Sequence, residues 1–409
     1  MSIRLLYLTA ETYPTYRVDL RVLFGKILPK YGIQSDIVAG KTEDNVEEAV
    51  SWGGGETYLC DVSGGSARVH INTFLHGIRN MLKSDRKRYQ AIQVRDMPLL
   101  AAIGLLVARF KGLKFFYWMS YPMSEGLILL ARERGLSSGF IKFFFPWIRG
   151  RIGYLLLYRL VLPMADHVFV QSDQMKEALV KRSFRPDKMT SVPMGVDMET
   201  LQSVDIPPVD DIRLVNKRVL VYLGTLDRPR RIEILFEMIA IVKRQFPNVL
   251  LILVGDTNEE MHRCWLKMKA SEAGVGDNLL WTGWLPMYEG WRYVRAAAVG
   301  LSPIPRGYLL DVSSPTKVLE YLALEIPVVC NDNPDQERVI RESKAGMCVL
   351  YSAEDFANAV IKMLCLEKNE RLEMGIRGRD YIKHNRDYQM IGNIVANSYK
   401  NLFRKDSHG

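Results

Sequence analysis

The sequence predicts an α/β protein built from two doubly wound, Rossmann-like domains in tandem. Three observations predict it. Short apolar runs alternate with longer helical patterns along the chain, as parallel strands joined by crossover helices do. The series breaks once, at a polar and proline-bearing stretch, and then starts afresh. At 409 residues the chain is long for one hydrophobic core, so two domains are expected.

Taken in order, the apolar runs at 3–9, 35–39, 91–95, 114–118 and 167–171 read as strands of the first domain. Helical periodicity lies between them, for example over 18–31 and 99–110. The stretch at about 197–217 holds Pro207, Pro208 and several aspartates and reads as the linker. The domains are therefore set at 1–197 and 198–387. The second series places strands at 218–223, 249–254, 278–282, 299–303, 328–330 and 347–350. Its helical patterns fall at 232–245, 258–273, 315–324 and 353–366. A last helical stretch within 388–409 is expected to pack back on the first domain.

Composition narrows the function classes. Hydrophobic residues make up 48% and charged residues 25%, ordinary values for a globular protein. Lys and Arg number 55 against 46 Asp and Glu, a formal charge of +9. That balance suits phosphorylated ligands or an anionic membrane surface. Nucleic acid is not expected, since neither zinc-finger spacing nor an RNA-binding aromatic motif occurs. Five scattered cysteines without a Cys-x-x-Cys pair fit free thiols in a reducing compartment. The apolar start is too short for a signal peptide, and no apolar stretch reaches the roughly 20 residues of a spanning helix. A cytoplasmic protein is expected, with a peripheral position on the inner face of the membrane as the variant. The segment 124–163 carries that variant, because Arg132, Arg134, Lys142, Arg149, Arg151 and Arg159 stand among aromatics such as Phe143 and Trp147. A hairpin of core-packing helices with solvated arginines accounts for it equally well.

The chemistry is concentrated in the second half. From Asp311 to Ala323 a loop runs into a helix, with Ser314 as the expected N-cap and Pro315 at the first helical position. Lys317 then stands in the first turn, where the helix dipole disfavours a cation. An anion at the helix start would remove that conflict, and phosphate is the anion such sites bind. Glu320, on the same helical face, is placed for ribose hydroxyls. Earlier, a strand ends at Gly224-Thr225 and leads into a basic loop containing Arg228, Arg230 and Arg231. Strands also end at Gly255-Asp256 and at Gly283-Trp284-Leu285. Loops at the carboxyl ends of strands line the ligand crevice in open α/β sheets. Each element alone is common in proteins of any function.

In this order, however, the elements resemble the second domain of the family-4 retaining glycosyltransferases of the GT-B fold, over about 220–366. The first domain adds Ala165-Asp166-His167 through Ser172, and Val192-Pro193-Met194-Gly195-Val196-Asp197. The resemblance implies two Rossmann-like domains facing across a cleft. It also implies transfer of a sugar from a nucleotide diphosphate sugar, UDP-linked by preference and GDP-linked as the variant, to a glycan or lipid-linked acceptor. No metal and no further cofactor are implied. Carried over by position, Arg230 contacts the donor diphosphate, Thr316 and Lys317 meet the phosphates, Glu320 holds the ribose, and Gly195 lies near the transferred sugar. Gly224, Thr225, Arg228, Gly255, Trp284, Leu285 and Ser314 complete the expected donor site.

The chain also departs from the family. Where relatives carry a Glu eight residues before the ribose Glu, it has Val312, with Asp311 beside it as the candidate replacement. Thr225 replaces an Arg, and Met194 an Asn. The paired glycines after the first strand and the His of the first domain are missing. Asp96 and Glu125 are the carboxylates left for the acceptor hydroxyl, although Asp96 also suits a helix cap. Two alternatives follow: a nucleotide-sugar epimerase of the same fold, and a donor-binding scaffold without turnover.

Overall fold

The computed structural model describes residues 2–15, 17–41, 52–62, 66–135 and 139–404. Residues 136–138 of the basic segment and 405–409 of the C-terminal stretch lie outside the described residues. The chain divides into two units, Met1–Met194 with Tyr388–Gly409, and Gly195–Asp387.

The first unit is a sheet of seven strands: β1 (Ile3–Tyr13), β2 (Ile33–Lys41), β3 (Thr57–Asp61), β4 (Ala91–Arg95), β5 (Lys114–Met119), β6 (His167–Val170) and β7 (Met189–Ser191). Their order is β3-β2-β1-β4-β5-β6-β7, and every pairing is parallel. Central strands read as apolar runs because helices cover both faces. One face packs against α1 (Asp19–Ile27, π-helical) and the chain's last helix, which joins Tyr7, Phe24, Trp118 and Phe169 in one core through Tyr388, Ile391, Val395 and Tyr399. Tyr399 donates its hydroxyl to Gln93 beneath. The crossovers β3–β4, β4–β5 and β5–β6 supply α2 (Ser66–Lys83), α3 (Pro98–Lys111), α4 (Met123–Arg134) and α5 (Phe140–Leu156). The helix of α5 runs on through Leu157–Val161 and Leu162–Met164. After β6 comes α6 (Asp173–Val180), capped by the Ser172 hydroxyl, which accepts from Met175 N–H.

The second unit repeats the plan with β8 (Arg218–Leu223), β9 (Val249–Val254), β10 (Leu279–Gly283), β11 (Val299–Ser302), β12 (Val328–Asn331) and β13 (Gly346–Val349). The order is β10-β9-β8-β11-β12-β13, parallel along its named ladders. Its α-helices of seven residues or more are α7 (Ile234–Val242), α8 (Glu260–Glu272), α9 (Met287–Arg295), α10 (Lys317–Ala323), α11 (Pro334–Ser343), α12 (Ala353–Cys365) and α13 (Lys368–Asn385). α14 (Tyr388–Arg404) is the last helix, already placed in the first unit.

The passage between units falls after Met194, a little before the expected boundary at 197. Local bonding explains the difference. Val196 N–H bonds to the Arg386 carbonyl at 2.8 Å, and Val196 pairs with Asp387. Asp197 then caps the helix Met198–Ser203 through Thr200 N–H. All of these contacts belong to the second unit.

Both sheets reverse their winding between the first and fourth strands. Open α/β sheets bind ligands at such switch points, outside the carboxyl ends of the strands. The topology therefore directs attention to the loops after β8 and β11, and after β1 and β4.

Candidate active site

In the second unit, β11 pairs with β8 only at Val299↔Leu220 and Gly300↔Val221, after which the strands part. Tyr321 of α10 occupies the split. Its hydroxyl accepts from Leu223 N–H at 2.7 Å and donates to the Leu301 carbonyl at 3.2 Å. Gly300 makes room, since a Cβ there would lie 2.5 Å from the Tyr321 ring. Two backbone groups freed by the divergence are thus satisfied by one side chain, and α10 is fixed over the switch point.

Lys317 lies one helical turn before Tyr321 and shares its face. Its ammonium is 5.0 Å from the centroid of the Tyr222 ring. Its Cε passes so close to Gly224 that a Cβ there would approach to 2.7 Å. Gly224 and Gly255 both have left-handed φ, 141° and 131°, and a Cβ on Gly255 would strike the Gly224 carbonyl at 2.2 Å. The ends of β8 and β9 therefore present bare backbone beside a cation. Burial first and the Arg230 charge second pull the Lys317 pKa down to about 7, and Glu320 only partly opposes them. Arg230 and Lys317 are thus electrostatic neighbours with too little negative charge between them.

Glu320 is oriented by Trp291 of α9, whose indole N–H donates to Oε2 at 3.2 Å. Burial pushes its carboxyl pKa up, while Trp291, Thr316 and the Lys317 charge favour the ionised form. The arrangement can accept hydroxyl donors at Glu320 and hold a diphosphate-sized anion at Lys317 and Arg230.

The helix start differs from the sequence expectation. Ser314 is not the N-cap. The helix begins at Lys317, with Thr316 at the cap position and no side-chain capping bond. The reason is a longer-range contact: the Ser314 hydroxyl donates to Asp335 Oδ2 at 2.6 Å. Asp335 is itself buried and held by Arg386 at 2.6 Å and Arg338 at 3.0 Å. With only seven residues in α10, the case for an anion rests on Lys317 and Arg230, not on a helix dipole.

The other expected residues are placed as follows. The Thr225 carbonyl accepts from the Tyr222 hydroxyl at 3.1 Å. Arg228 is exposed and ion-paired to Glu259 at 2.9 Å. Trp284 is exposed and Leu285 partly buried, both just past β10, whose Gly283 pairs with Gly255. Gly195 is buried in the irregular segment at the start of the unit. Asp311 is gripped by Arg306 at 2.9 and 3.3 Å, and Arg306 also binds Asp332. Val312 is buried. The carboxylate nearest the family's upstream Glu is therefore already neutralised.

At the switch point of the first unit, Asp96 follows β4 with a left-handed φ of 52°. It does not cap α3, whose cap position is Met97 without a side-chain bond. Instead it accepts from Ser120 N–H at 2.8 Å, from Tyr121 N–H at 3.3 Å and from the Ser120 hydroxyl. Burial raises its pKa, against the pull of Arg95. Arg95 is fully buried and donates to Asp19 at 2.6 Å. Arg17 lies at the rim, 3.5 Å from Glu11 and 3.7 Å from Asp19. Glu125 is held by the Tyr158 hydroxyl at 2.6 Å and Arg182 at 3.2 Å. Sequence reasoning missed Tyr222, Trp291 and Tyr321 in one unit and Arg17, Asp19 and Ser120 in the other. A charged residue closing the apolar run of β4 was the one available signal.

Residues 211–381 match the family profile of glycosyl transferases group 1, and residues 25–195 match that of a glycosyl transferase 4-like domain. The chain belongs to the family-4 glycosyltransferases of the GT-B fold. Solved structures agree on the fold. Sucrose-phosphate synthase from Thermosynechococcus elongatus is 18% identical with a TM-score of 0.72, over 98% of this chain and 100% of that one. HepE from Anabaena, solved with UDP-glucose, is 13% identical with a TM-score of 0.66, over 98% and 100%. A glycosyltransferase from Rickettsia africae is 11% identical with a TM-score of 0.68, over 98% and 99%. Among curated protein sequences none matches significantly. Among the described residues of this glycosyltransferase, no cluster of three or more His, Cys, Asp or Glu could hold a metal ion. Nor is any described helix long and apolar enough to cross a membrane.

Proposed function

We propose that the protein transfers a sugar from a nucleoside diphosphate sugar, with UDP as the favoured base carrier, to a glycan or lipid-linked acceptor in cell-surface polysaccharide or glycoconjugate synthesis. One observation carries the donor half: Lys317 is buried beside the bare backbone of Gly224, and burial first and the Arg230 charge second pull down its pKa. A diphosphate offsets that charge. The relative solved with UDP-glucose supports the same donor class.

In this reading Glu320, aimed by Trp291, accepts the ribose hydroxyls. Lys317 and Arg230 hold the diphosphate, and their charge stabilises it as it leaves the anomeric carbon. In this reading the two cations supply the charge stabilisation that a divalent ion gives in other transferases. The bond from the anomeric carbon to the acceptor oxygen forms as the bond to the β-phosphate oxygen breaks, with retention of configuration. Asp96 is the candidate to hold the acceptor hydroxyl and take its proton, its raised pKa favouring proton uptake.

The occupied oxygens of Asp96 and the Arg306 clamp on Asp311 favour a second reading, a donor-binding subunit without turnover. Incubation with labelled UDP-sugars and lipid-linked or glycan acceptors separates the two. The transferase reading expects labelled acceptor and release of UDP. Donor binding without product on any acceptor supports the second reading, and absence of donor binding overturns both.

A further inference from the structure

The chain's formal excess of nine positive charges is not spread evenly. Helices α2 and α3 and the continuous helix 140–164 contain nine Lys and Arg and not one Asp or Glu. The rest of the protein is therefore balanced. These helices cover the same face of the first sheet, the one opposite α1 and α14. α4, which the sequence reading grouped with this segment, is itself charge-balanced, with Glu125 and Glu133 against Arg132 and Arg134.

The continuous helix shows why the face is unusual. Pro146, Gly150, Gly153 and Leu157 form its buried stripe. A Cβ on Gly150 would come within 2.8 Å of Ile128, so α4 packs tightly against that side. Ile141, Phe145, Ile148, Ile152 and Leu155 recur on a second stripe, at the same helical spacing, and are all exposed. Lys142, Arg149, Arg151 and Arg159 are exposed on the same helix. The neighbouring helices continue the pattern with Leu106 and Phe110 on α3, and Leu75 and Leu82 on α2. Phe110 is 93% exposed. Monomeric soluble proteins rarely leave so broad an apolar surface uncovered.

We infer that this helical face docks on an anionic lipid bilayer, its aliphatic and aromatic side chains entering the headgroup boundary and its Lys and Arg meeting lipid phosphates. Charge complementarity selects that occupant. A second copy of the helix 140–164 would set Lys142, Arg149, Arg151 and Arg159 against the same four cations, with no carboxylate on that helix to answer them. Exposed Phe, Ile and Leu interleaved with basic residues along one helix are the pattern of interfacial helices. The inference goes beyond the donor chemistry and is read without any sugar present.

Flotation of the full-length chain with vesicles tests it. Binding is expected to phosphatidylcholine vesicles doped with phosphatidylglycerol, and little to phosphatidylcholine alone. Raising the salt should weaken it. Replacing Lys142, Arg149, Arg151 and Arg159 by Gln should lower partition by about five-fold per residue, or some hundreds-fold together. Phe145→Ser with Ile152→Ser should also release the protein, with thermal unfolding and UDP binding unchanged as fold controls. Equal binding to neutral vesicles, or no binding to anionic ones, overturns the inference. So does a dimer in light scattering that Phe145→Ser and Ile152→Ser abolish.

Discussion

Donor affinity should depend on pH through Lys317. In the ligand-free protein its pKa is drawn from 10.5 down to about 7, first by burial and then by the Arg230 charge. A bound diphosphate supplies the missing negative charge and returns the pKa toward its ordinary value. Between these limits binding takes up a proton, so the affinity should fall about ten-fold for each pH unit above 7. From pH 7 to 9 that amounts to about 100-fold, or about 2.7 kcal/mol at most. Calorimetric titration with UDP-glucose reads it cleanly, because an esterified diphosphate has no phosphate titrating in this range. Proton uptake should also appear as a dependence of the binding heat on the buffer. Lys317→Met should bind more weakly and with a flat pH profile. Stability gives the opposite sign. Unfolded Lys317 keeps its proton up to about 10.5, and the folded form loses it near 7. The unfolded state therefore holds more protons between those values, and stability should climb with pH across that window. Lys317→Met should accordingly stabilise the ligand-free protein most at low pH. A donor Kd that stays level from pH 7 to 9 in the unmodified protein would refute the reasoning.

Other outcomes follow from the same geometry. Gly224→Ala should fold but bind donor at least ten-fold more weakly, since its Cβ displaces the Lys317 side chain, whereas Gly255→Ala meets backbone and should unfold at clearly lower urea. Arg386→Met leaves buried Asp335 with only the partly exposed Arg338 as a cationic partner and should cost about 3 kcal/mol in urea unfolding. A smaller loss, Ser314→Ala, removes one hydrogen bond to the buried Asp335 carboxylate and should cost about 1.5–3 kcal/mol in urea unfolding. Asp96→Asn should cut turnover by about 100-fold or more while leaving the donor Kd within about two-fold, and Asp311→Asn should change neither, because Arg306 already holds that carboxylate.

Much of this was legible in the chain, for a physical reason. Strands buried on both faces must be apolar throughout, so the runs at β8 and β9 stand out in the sequence. β3 and β7 do not, because they are sheet-edge strands, half-exposed and short. Lys317 was visible as a cation in the wrong turn of a helix. Its companions were not. Tyr321 matters only because β8 and β11 part beneath it, and Trp291 only because α9 turns its indole toward Glu320. Ser314 looked like a cap because local chemistry favours that use, but its hydroxyl is claimed by Asp335 in another helix. Asp96, a candidate for the acceptor hydroxyl, also suits a cap for the same local reason, whereas its partners lie past the next strand at Ser120 and Tyr121. Local propensity was reliable where nothing distant competed for the same group.

The most direct test of the donor site is a structure with a nucleoside diphosphate sugar bound. The diphosphate should lie within hydrogen-bond distance of Lys317 Nζ and of Arg230, over the backbone of Gly224 and Gly255, with the ribose hydroxyls on Glu320. A nucleotide bound elsewhere, with Lys317 and Glu320 untouched, would contradict the account.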